Sequence, residues 1–120
     1  MAFGELRQTL VELHRVLLEA ERRDYERLHG RLSDGEFLEV VIKDPDLRWL
    51  GALTTLIVSL DELGEQTPGR QFVAHIRKLL MPTPGGDEFN RKYDASLQRN
   101  PEVVVAHGGV MRALGGAGAA

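Results

Sequence analysis

One helical ladder near the start of the chain reads His14, Leu18, Glu21, Tyr25, His29. Steps of three and four residues put these side chains on one side of a helix, so an imidazole, a carboxylate, a phenol and a second imidazole share a face. Neutral imidazole and carboxylate are ligands for iron, zinc and manganese. Asp61 follows Leu50, Thr54 and Ile57 on a ladder of its own and so faces a neighbouring helix. If His14, Glu21 and Asp61 met between two helices they would make a metal site, and with Tyr25 a polar cluster inside a bundle. The blander alternative is that His14 and Glu21 lie at the edge of an apolar stripe and bond each other, Tyr25 or water. Glu26 and His29 repeat the Glu-x-x-His spacing of di-iron carboxylate bundles. Those bundles need two such pairs and two further Glu, and this chain has one pair.

Other reactive side chains carry weaker signals. Ala74-His75-Ile76-Arg77-Lys78 resembles the phosphoacceptor region of histidine phosphotransfer domains, which are helical bundles of similar length. That pattern has Gly directly after the Lys, where this chain has Leu79, whose bulk would crowd a phosphoryl donor. His107-Gly108-Gly109 reads as a close helix approach or the end of a weak helix. Ser33, Ser59 and Ser96 have no nearby His motif, no Gly-rich loop follows a strand, and no residue is expected to be catalytic.

The elements that must position these groups are helices. Phe3, Leu6, Leu10, Leu13 and Leu17 form the apolar stripe of a first helix over about 3–31, which Gly30 ends. Ser33 and Glu36 have capping-box spacing and open a short helix with Phe37, Leu38, Val41 and Ile42. Asp44 and Pro45 read as the cap and first residue of a third helix to about Leu63. Apolar over most of its circumference through Trp49, Leu53, Leu56 and Leu60, it is expected to be central, with Gly64 as its stop. Thr67-Pro68 opens a fourth helix, Met81–Asp87 is a loop, and Asp87 and Asn100-Pro101 begin two more. The part beyond the Met81–Asp87 loop is expected as a C-terminal arm, its last helix weakened by Gly108 and Gly109, with a disordered tail over 115–120. The expected fold is all-α: one domain over 1–114, a compact bundle of about four to six helices.

Composition bounds the function classes. With 15 basic and 18 acidic residues, net charge -3 and no Cys, the chain has no general attraction for nucleic acid and no thiolate metal site. A recognition helix needs several polar or basic side chains, and the helix after Pro45 has only Arg48 near its start. No stretch approaches the roughly 20 apolar residues of a membrane span. The N-terminus has no signal-peptide pattern, so the expected location is the cytoplasm, with neither nucleic acid nor membrane as partner.

Leu13-His14 to Glu21-Arg22, Tyr25-Glu26 with His29-Gly30, and Asp44-Pro45 with Trp49-Leu50 through Asp61-Glu62-Leu63 resemble a group of small uncharacterised bacterial all-helical proteins. The resemblance covers about the first 65 residues and implies a compact helical domain without a mechanism. The functional expectation is a non-catalytic interaction or accessory module, a homodimer with the first or third helix at the two-fold, with another protein as a further candidate partner. Arg48 and Trp49 are its candidate interface, since Trp and Arg are enriched at hot spots. The alternative is a bundle binding a metal or small cofactor, of unspecified identity, as a sensor or redox protein.

Overall fold

The structure, a computed structural model, describes residues 2–63, 69–81, 83 and 86–118. Among the described residues six α-helices follow one another: α1 (Ala2–His29), α2 (Asp34–Lys43), α3 (Gly51–Leu63), α4 (Arg70–Leu80), α5 (Glu88–Arg99) and α6 (Pro101–Gly118). A single 3-10 turn, Arg48–Leu50, leads into α3. No strand occurs among the described residues, and the body measures 47 × 30 × 22 Å. Among the described residues no helix is long and apolar enough to cross a membrane. At 1.5 Å per residue, α1 alone is about 42 Å long and sets the long axis.

The bundle is built on α1 and α6, and the tightest pairing in the fold is theirs. Leu6, Leu10, Leu13 and Leu17 of α1 are completely buried, as are Val103, Val110 and Leu114 of α6. Burying each such side chain contributes about 1.5–3 kcal/mol. Small side chains let the two helices close up. Ala106 and Ala113 are buried, and a Cβ added at Gly109 would stand 3.6 Å from Thr9 Cγ2. The last helix of the segment expected as an arm is therefore a core helix, touched also by α4 and α5. Gly108-Gly109 belongs to the close-approach reading. The helix continues through Gly115–Gly118, where a tail was expected. Residues 119–120 lie outside the described residues, as do the Phe3 side chain and the Gly64 and Thr67-Pro68 signals.

The third helix is less central than its composition implies. α3 buries Leu53, Leu56 and Leu60 but leaves Thr54, Thr55 and Val58 exposed. Its start also differs from expectation. Asp44 closes α2 in extended conformation, and its Oδ1 accepts from the Asp46 backbone N–H at 2.9 Å. That local bond favours a turn over a helix start, so α3 proper begins only at Gly51. The Ser33–Glu36 capping box forms with both of its hydrogen bonds, as does the one at Asp87 with Asn90. Gly30 has φ +89°, the left-handed conformation glycine adopts without strain, and it turns the chain from α1 into α2.

Candidate functional site

The ladder residues do not come together. His14 Nε2 lies 3.0 Å from Thr54 Oγ1 of α3, and partial burial holds the imidazole below its ordinary pKa. Glu21, seven residues and about 10.5 Å further along α1, faces a different neighbour. Its carboxylate is 3.8 Å from Arg99 Nη2 of α5. Burial pushes its pKa up, the Arg99 charge opposes the rise, and Asp24 adds to it. Tyr25 stacks on His29 one turn later, with ring centroids 4.2 Å apart. Asp61 is half exposed and bound by Arg7 Nε at 2.5 Å, which holds its carboxyl below the usual range. The metal set of His14, Glu21 and Asp61 is thus dispersed over three separate partnerships. Among the described residues no group of three or more His, Asp or Glu side chains is placed to hold an ion.

Of the candidate interface pair, Trp49 is 5% exposed. Its ring packs edge-on against Phe89 of α5 with centroids 5.6 Å apart, so it anchors the core from inside the 3-10 turn. Arg48 beside it is exposed and lines a large surface concavity.

That concavity is a groove of about 1010 Å³ between α1, α2 and α3. Leu18 and Phe37 line its inner part. Val41, Leu38 and Ile42 form the α2 wall, and Thr54, Thr55 and Val58 form the α3 wall. Leu38, Ile42 and Val58 are 60%, 65% and 49% exposed, so three large apolar side chains flank one opening. Charged side chains mark its edge: Arg15, Glu19, Arg22, Arg48 and Glu62. An apolar centre inside a charged rim is the anatomy of a protein docking surface. Of the ladder's polar residues, His14 lines the groove, beside Leu18.

Arg22, which carries no weight in the sequence pattern, positions the outer wall. Its guanidinium donates to Glu26 at 3.3 Å, to Asp34 at 2.7 Å and to the Leu32 carbonyl at 2.5 Å, and its Cζ lies 5.4 Å above the Phe37 ring centroid. Glu26 in turn accepts from the Leu32 backbone N–H at 2.8 Å, which lowers its pKa together with Arg22. Together they bind the α1–α2 turn to the end of α1 and seat Phe37, the one buried residue of α2. A sequence signal existed in the four-residue spacing of Arg22 and Glu26, but the bonds to Leu32 and Asp34 arise only once the turn at Gly30 is made. Elsewhere on α1, Arg15 pairs with both Glu12 and Glu19. Arg23 reaches to Glu102 and Asn100 of the α5–α6 junction.

A second polar pair lies away from the groove. The Tyr93 hydroxyl is 2.7 Å from His107 Nδ1. Burial raises the phenol's pKa and lowers the imidazole's. The pair joins α5 to α6 and gives the buried Tyr93 hydroxyl a partner.

Compared with known proteins, the chain matches no family model, no curated protein and no solved structure.

Proposed function

We propose that this chain is a non-catalytic interaction module that receives an amphipathic helix in the α1–α2–α3 groove. The observation that carries the reading is the exposure of Leu38, Ile42 and Val58 around one apolar concavity. Scattered surface hydrophobics need no explanation, whereas a contiguous patch rimmed by charge marks a binding surface. Two open helical walls suit the helix-in-groove mode, in which a partner's side chains at i, i+3, i+4 and i+7 fill the trough.

The test is a titration of dilute protein with a designed amphipathic helical peptide of about twelve residues, followed by methyl NMR. Shifts confined to Leu18, Val41 and Val58, and lost in Val58→Glu, are expected. Shifts centred on Val104 and Val105 of α6, or no shifts, would overturn the reading.

The small-cofactor reading has one observation behind it, the imidazole of His14 on the groove wall. Its check is metal analysis and an absorption spectrum of protein purified without an affinity tag. Stoichiometric metal or a chromophore that disappears in His14→Ala would put that reading first.

A further inference from the structure

We infer, building on the docking reading, that the helix received by the groove is α2 of a second copy of this chain, inserted reciprocally about a two-fold axis.

The first argument is that α2 is amphipathic twice over. Phe37 and the half-buried Val40 and Val41 attach it to its own bundle. Leu38 and Ile42, four residues apart and therefore on one side of the helix, remain 60% and 65% exposed. A helix with apolar side chains over that much of its circumference packs on more than one neighbour, and its own chain supplies only one side. The element that lacks a cover is also the wall of the groove that lacks an occupant. An isologous contact resolves both, because each copy then gives and receives the same surface.

The second argument is the charge at the rim. Glu39, on the outer part of α2, is 72% exposed and meets only Lys43 of its own helix, at 4.0 Å. Arg48, on the groove rim, is exposed and makes no ion pair among the described residues. Reciprocal docking offers each Glu39 the partner's rim, and the two-fold axis makes the pairing twice.

The third argument is length. Within these 120 residues no stretch outside the described ones exceeds five residues. That is short of the roughly seven residues of two helical turns, so the helix received is not taken from such a stretch.

The chain has no cysteine, which permits a clean test. Light scattering behind size exclusion at ~100 µM, well above a micromolar Kd, is expected to give wild-type protein twice the 13.4 kDa chain mass. Ile42→Glu and Val58→Glu are each expected to run at the single-chain mass with unchanged helical circular dichroism, since both replace exposed side chains. A mixture of the single variants Ile42→Cys and Val58→Cys should form a mixed disulfide about tenfold faster than a mixture of Ile42→Cys with Val11→Cys, a control on α1 outside the groove. Wild-type protein that stays at the single-chain mass overturns the inference. So does a dimer that survives both Glu variants, because its interface then lies elsewhere. A single-chain mass with intact groove-confined peptide shifts would leave the docking module standing with a different partner. Loss of both results would remove both readings.

Discussion

α1 presents two sides of opposite character. Toward α6, its most extensive neighbour, it is closed: Leu6, Leu10, Leu13 and Leu17 are fully buried, and Thr9 stands close to Gly109. Toward α2 and α3, Leu18 opens onto a groove whose far walls leave Leu38 and Val58 exposed. One helix therefore provides the structural seam on one side and the candidate interface on the other. The difference lies less in how apolar the two sides are than in whether the neighbour can approach. α6 comes close where small residues, Ala106, Gly109 and Ala113, are spaced between its buried Val103, Val110 and Leu114. α2 is held at its start by Arg22 and by little else along α1, so a trough remains.

The largest effect is expected at the seam. Leu10→Ala removes a completely buried side chain and should cost about 2–5 kcal/mol in denaturant-induced unfolding, with cooperative loss of the whole bundle. If only α2 loosened, or the loss stayed under about 0.5 kcal/mol as at an exposed site, α1–α6 would not be the structural centre.

Acidity should act next, and on both sides of α1. His14 and His107 each have a pKa held below 6.5 by burial. The unfolded chain then takes up protons first as pH falls, so their contribution is intact above about pH 6.5 and is lost progressively as pH falls toward their lowered values. Glu21 has the opposite sign, because its raised pKa favours the folded state as pH drops through the region above 4.5. Wild-type stability measured from pH 8 to 5 should fall, and His107→Gln should flatten part of that slope. A slope unchanged in both His107→Gln and His14→Gln would show that neither histidine is responsible.

The smallest effect should be local. Arg22→Ala removes the bonds that tie the α1–α2 turn together without touching the seam. Amide exchange should speed up across α2 while α1 residues facing α6, and α6 itself, keep their protection. Equal acceleration in α6 would contradict the separation of the two sides.

Much of the helical framework was legible in the sequence because caps are local. Ser33 with Glu36, Asp87, and Asn100 before Pro101 each mark a helix start that needs no information from elsewhere in the chain. Asp44-Pro45 misled because the Asp44 side chain bonds the turn it sits in. The arrangement of helices was less legible. Gly108 and Gly109 look like a weakness until α1 lies against them, and the greasier α3 draws attention from the small-residue helix that occupies the centre. The candidate metal set failed to assemble for a geometric reason. A helix of 28 residues has several neighbours along its length, so an inward ladder does not specify one destination. His14 meets α3, Glu21 meets α5, and Asp61 is taken by Arg7 near the other end.

The pairing of α1 with α6 also has a consequence for how the chain is made. The leucines of the first twenty residues find their principal cover only in residues beyond position 100. About 80 residues must be translated in between, which takes roughly 4–16 seconds at 5–20 residues per second. During that interval the α1 stripe stands open on the ribosome, and contacts of such long sequence separation are slow to form in any case. A nascent chain stalled before α6 should therefore be held by chaperones or cleaved by proteases, and release past α6 should end that vulnerability in a single step.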